Sequence, residues 1–225
     1  DPGIWVSQVQ GPNSLKVLTA SVDGDLPRPF NYFDLAEVTI AGQPVVLTRS
    51  GFTNELGWEF YLLPGTDIDA VGARIIEAGK PFDMTPTSAD AFRTRRIEAG
   101  LLNAGSDFNE RTTPFDVGLG HMVDFDKSEF CGRNALLQAD HRCRTWGLRT
   151  QGGVAQIGRT LKSNGLDVGV VCSSAWSPFQ QCGVAIVRLD DADARPNFDV
   201  EVICSDDRIR KAKTCTTPMY DEKRE

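Results

Sequence analysis

Residues 48–62 read TRSGFTNELGWEFYL, a turn punctuated by Gly51 and Gly57 that runs into a strand with Glu59 set between Trp58 and Phe60. In an extended segment successive side chains point to opposite faces, so an acid between two aromatics has two readings. Glu59 lies on the wet face of a half-buried strand, or it is buried and must find hydrogen-bond donors. Upstream, residues 38–40 and 44–48 flank an Ala41-Gly42-Gln43 turn and predict a hairpin. Earlier still, residues 5–9 alternate as a strand, Gly11-Pro12-Asn13 supplies a turn, and a short helix follows over 14–19.

Downstream the period changes. Ile68, Val71 and Ile75 recur at helical spacing, with Thr66 and Asp67 suited to open the helix and Gly79 to close it. A second helix is predicted from Thr87 or Ser88 to Ala99, stopped by Gly100. It carries Arg93, Arg95 and Arg96, which form a solvated or salt-bridged face or present cations to an anionic ligand. A third helix is predicted over 133–139. Beyond residue 143 the helical period gives way to short β-rich runs at 145–148, 167–172, 183–189, 199–204 and 208–215, with Asn164-Gly165 and Asp190-Asp191 as turns. The chain therefore reads as an α+β protein with an α+β portion over 1–142 and a small antiparallel β-barrel or sandwich over 143–225, ending in a charged, frayed tail at 220–225.

Composition removes several classes of function. With 40% hydrophobic and 24% charged residues the chain is an ordinary globular one, large enough to fold without a metal or disulfide staple. A net charge of −7 argues against nucleic acid, whose binding rests on clustered Lys and Arg. No window approaches the roughly 20 apolar residues of a membrane span. The opening Asp1-Pro2-Gly3-Ile4-Trp5 has no signal-peptide pattern, and the expectation is a cytoplasmic protein. The six cysteines make no C-x-x-C pair, and only His121 and His141 are present, so no metal site is expected. They read as reduced thiols, with Cys172, Cys182 and Cys204 in apolar strands. No nucleophile elbow, P-loop or dinucleotide fingerprint occurs.

A buried Glu59 would offer two coplanar acceptors, which is what the cyclic amidine edge of a pterin requires. Residues 48–62 also resemble the S-R-x-G-Y-T-G-E-x-G-x-E-I stretch of the glycine cleavage system T-protein family, the tetrahydrofolate-dependent aminomethyltransferases. The similarity continues in order along nearly the whole chain. Residues 9–13 (VQGPN), 96–101 (RIEAGL), 107–119 (DFNERTTPFDVGL), 130–136 (FCGRNAL) and 168–178 (VGVVCSSAWSP) each resemble a family motif. The resemblance implies a folate-binding α+β fold ending in a barrel-like domain, with tetrahydrofolate as one-carbon acceptor.

By position, the resemblance assigns Glu59 to the pterin edge and Phe52 to a tyrosine that lines the folate site, keeping the ring and losing the hydroxyl. Where the family has A-R-D before its R-L-E-A-G motif, this chain has Ala91-Phe92-Arg93, so Phe92 stands at the folate-contacting arginine and Arg93 on the aspartate. His121 replaces the tryptophan usual after G-L-G. Such departures resemble an offshoot such as the dimethylsulfoniopropionate demethylases, which pass a methyl group to tetrahydrofolate. The family's catalytic aspartate is expected upstream of Asp1, leaving no catalytic residue in this chain. The implied partners are a small-molecule methyl or aminomethyl donor and, for a true glycine-cleavage component, a lipoyl carrier protein. The rival expectation is a folate-binding or scaffold relative that has lost transfer.

Overall fold

The computed structural model describes residues 3–190 and 195–220. Asp191 of the expected Asp190-Asp191 turn and residues 221–225 of the expected frayed tail lie outside the described residues. The chain forms two compact units, Asp1–Phe92 and Arg93–Glu225, dividing within a helix.

The first unit is built on a four-stranded antiparallel sheet in the order β1-β4-β3-β2, comprising β1 (Trp5–Gln10), β2 (Leu35–Ile40), β3 (Gln43–Thr48) and β4 (Gly57–Leu62). The β2–β3 hairpin closes through Ala41 and Gly42, at φ 51° and 71°. A two-residue loop with both φ positive matches the right-handed twist of its strands. Helices α1 (Ser14–Ser21) and α2 (Ile68–Gly79) supply Val17, Leu18, Val71 and Ile75 to one core with Val9, Val45, Leu47, Trp58, Phe60 and Leu62 of the sheet. Asp67 caps α2 by accepting a hydrogen bond from the Ala70 amide at 3.0 Å. Since Trp58 and Phe60 face this core, Glu59 and Tyr61 point to the other face of the sheet. There Glu59 is flanked by Thr48 of β3 and Gln8 of β1.

Helix α3 (Ala89–Ala99) carries the division between the units. Ser88 accepts from the Ala91 amide at its start, and Gly100, at φ 72°, ends it. After the one short helix α4 (Arg133–Gln138), the second unit forms a closed six-stranded antiparallel barrel in the order β10-β5-β8-β7-β6-β9. Its strands are β5 (Thr145–Thr150), β6 (Thr160–Ser163), β7 (Leu166–Ser177), β8 (Cys182–Leu189), β9 (Asp199–Ile203) and β10 (Ile209–Cys215). Of the two arrangements left open by the sequence, the barrel forms. Asn164 and Gly165, both at positive φ, make the β6–β7 turn. Leu148, Leu161, Val171, Val187 and Val202 fill the barrel. A bulge between Val171 and Ser173 turns β7 locally, so that Cys172 joins Ile97 of α3 in a separate cluster while Ser173 bonds Arg96.

Candidate functional site

The outer face of the first unit's sheet carries a line of oxygens. Ser50 donates to Glu59 Oε2 at 2.5 Å, and its hydroxyl lies 2.5 Å from that of Thr48. A hydroxyl has one proton, so with Ser50 donating to the carboxylate, Thr48 donates to Ser50. Glu59 is half-buried, and among the described residues only Ser50 bonds its carboxylate. The carboxylate thus combines both readings of the sequence: it sits on the outer face, partly shielded, with Oε2 held by Ser50 and an acceptor site left on each oxygen.

Tyr61 stands two residues on along the same face. Burial pushes its phenol above the ordinary tyrosine value, and the Glu59 charge pushes in the same direction. Because the folded state holds this proton more tightly than the unfolded state, the stability it contributes is complete below the ordinary tyrosine value near 10 and is lost as pH rises from there through the raised value of the folded state. Glu59→Gln is expected to bring the Tyr61 ionisation down, read from the Tyr61 ring resonances in an NMR titration. An unchanged midpoint would remove Glu59 as one of its causes.

The turn before β4 places Phe52 against Phe92 of α3, with ring centroids 5.8 Å apart and planes tilted by 33°. The structure therefore brings Phe52 and Phe92 together and anchors Glu59 from the same loop that carries Phe52. Arg93, exposed, is the first residue of the second unit.

The three arginines of α3 do different work. Arg96 is buried and pairs with Asp107 and Ser173, whereas Arg95 bonds Glu98 at 2.6 Å and covers the Tyr220 ring at 4.2 Å. Arg95 and Arg96 are thus salt-bridged within the second unit, and Arg93 stands at an exposed position. His121 is exposed on a short 3-10 turn, and His141 stacks on Phe115 with centroids 3.8 Å apart. Among the described residues no cluster of His, Cys, Asp or Glu could hold a metal, and no helix is long and apolar enough to cross a membrane. None of the six cysteines is in a disulfide, and Cys172 and Cys204 are buried. Sequence reasoning passed over Ser50 and Thr48, which are legible only once β3 is paired with β4 in the register that sets Thr48 opposite Glu59.

The family model described as the GCVT N-terminal domain matches residues 3–127, and that described as the glycine cleavage T-protein C-terminal barrel domain matches residues 144–221. The chain belongs to the glycine cleavage T-protein family. Curated T-protein relatives include an aminomethyltransferase of Halothermothrix orenii, 35% identical over 192 residues that cover 82% of this chain and 53% of the relative. Another, from Bacillus velezensis, is 30% identical over 227 residues covering 97% of this chain and 60% of the relative. The crystal structure of glycine cleavage system aminomethyltransferase T from Bartonella henselae shares the fold, with a TM-score of 0.80 over 96% of this chain and 59% of that one at 24% identity. The chain spans about half the length of the curated relatives it matches.

Proposed function

We propose that the protein is a tetrahydrofolate-dependent one-carbon transferase, in which Glu59 holds the aminopyrimidinone edge of the pterin. The observation that carries this reading is the Ser50–Glu59 bond, which holds a carboxylate on the outer sheet face of a T-protein-family chain and leaves an acceptor site on each oxygen. A carboxylate that accepts two parallel N–H bonds recognises a cyclic amidine in one orientation. The paired rings of Phe52 and Phe92 offer an apolar surface for the face of the pterin. Phe92, where the family pattern has an arginine, cannot meet the carboxylates of the folate tail, and Arg93 takes that role. None of the described residues is assigned the role at the reacting amine.

Residues 1–142 form the folate-binding portion in this reading, and 143–225 the barrel. Tetrahydrofolate supplies the nucleophilic N5 that accepts the carbon. The chain's own contribution is to hold that nitrogen in one orientation, which removes an entropic part of the barrier worth several kcal/mol. The donor is an aminomethyl group on a lipoyl carrier or a methyl group on a small sulfonium or methoxy compound. Calorimetric titration of the full-length protein with tetrahydrofolate is expected to give saturable micromolar binding with one site per chain. The absence of binding would overturn the proposal. Binding without transfer from either donor class would favour the non-catalytic rival.

A further inference from the structure

Resting on the folate reading, we infer that Gln10, the last residue of β1, is the positioning residue of the loop that carries the pterin contacts. Gln10 touches none of Glu59, Phe52 or Phe92 by hydrogen bond, yet its carboxamide grips the loop on both sides of Phe52. Its Oε1 accepts from the Thr53 hydroxyl at 2.7 Å, and its Nε2 makes a longer bond of 3.5 Å to the Ser50 carbonyl. Thr53 is itself buried.

The adjoining residues fasten the far end of the loop. The Gly11 amide donates to the Leu56 carbonyl at 2.8 Å, and the Ser14 hydroxyl donates to the same oxygen at 2.9 Å. Thus Gln10, Gly11 and Ser14, at the junction of β1 and α1, hold Ser50, Thr53 and Leu56. Between those fastenings stand Phe52 and, through its hydroxyl, the group that orients Glu59.

The two glycines of the loop mark how closely Gln10 fits. Neither Gly51 nor Gly57 has a left-handed φ, so φ alone does not require glycine at either position. What a side chain would displace is the Gln10 carboxamide from its bonds to Thr53 and Ser50. A Cβ added at either glycine would run into the Gln10 carboxamide, whose atoms are the nearest at both sites. Gly51, Gly57 and Gln10 therefore form one interlocked set, in which the glutamine fills the room that two missing side chains leave. The VQG sequence of residues 9–11 and the glycine punctuation of residues 48–62 are two halves of this device.

The test combines amide hydrogen exchange of the full-length protein with its affinity for tetrahydrofolate. Gln10→Ala is expected to raise exchange at residues 51–56 by roughly tenfold or more while leaving α2 unchanged, and to weaken tetrahydrofolate binding by roughly tenfold. Gln10→Met, which keeps the length and loses both hydrogen bonds, is expected to do the same and serves if the alanine variant fails to fold. Unchanged exchange at 51–56 would overturn the assignment, as would faster exchange with unchanged affinity. If the parent protein binds no tetrahydrofolate, the folate reading fails, and the exchange measurement alone decides whether Gln10 sets the loop. A second, ligand-independent arm uses Gly51→Ala, expected to disturb the loop in the parent and to be tolerated with Gln10→Ala. Equal disturbance in both backgrounds would contradict the interlock.

Discussion

Replacing Arg96 with alanine is expected to lower the unfolding free energy by about 3–5 kcal/mol, the cost of leaving a buried charge without its partner. Arg96 and Asp107 form an ion pair within the second unit, with side chains 7% and 0% exposed. The guanidinium also donates to Ser173 at 2.7 Å and to the Leu101 carbonyl at 3.2 Å, so it joins α3, the loop after it and β7. Asp107 accepts further from Ser173 and from the Asn103 amide at 2.8 Å. Without Arg96, two neutral donors are left to support a dehydrated carboxylate. By contrast Lys162 and Asp167 pair on the surface, each more than half exposed, and Lys162→Ala is expected to change stability by less than about 1 kcal/mol. Urea denaturation of both variants checks this: the Arg96→Ala midpoint should fall sharply with its m-value unchanged. Equal midpoints for the two variants would mean that the buried pair contributes no more than the exposed one.

That network also shows where the sequence stopped being legible. Three arginines over four positions of one helix read as a single charged feature, but α3 turns Arg96 inward beside Ile97 and leaves Arg93 exposed. Nothing local marks the difference, because the partner, Asp107, lies in a loop after the helix and Ser173 lies on a strand 77 positions away. The barrel strands were legible wherever their apolar alternation was intact. Strand β7 runs five residues further than residue 172, because the bulge at Cys172 breaks the alternation and the buried positions that follow are hydroxyls. Those hydroxyls are satisfied: Ser174 donates to the Ala155 carbonyl at 2.6 Å, and Ser177 to Glu98 at 2.5 Å. Strand β6, four residues with Leu161 as its one buried position, offers too little pattern to be read at all. The first unit was more transparent, since the Ala41-Gly42 hairpin and the Asp67 cap are local devices. Its candidate site was half visible: alternation put Glu59 opposite its aromatic neighbours, but the Ser50 bond depends on how β3 and the following turn meet β4.

Glu59→Gln tests that site most directly, and it is expected to weaken tetrahydrofolate binding by roughly 10- to 100-fold. Hydrogen bonds to a charged acceptor contribute about 1.5–3 kcal/mol each, and tenfold in affinity corresponds to about 1.4 kcal/mol. The substitution keeps the length and shape of the side chain and changes what it offers. A carboxylate presents acceptors only, matching an edge with two N–H donors. A carboxamide presents one acceptor and one NH2, so one of the two bonds becomes a donor facing a donor. Ser50 sharpens the effect: its hydroxyl donates to Glu59, and in the variant it competes for the remaining carbonyl oxygen. Ser50→Ala removes the orienting bond and leaves the charge, so its expected loss is smaller, roughly threefold to tenfold. The order of the two losses distinguishes recognition from general disturbance of the sheet, because the two side chains bond each other and only one faces the pterin edge in this reading. Calorimetric titration of the parent and both variants measures that order, and a Glu59→Gln loss under about threefold would remove Glu59 as the anchor.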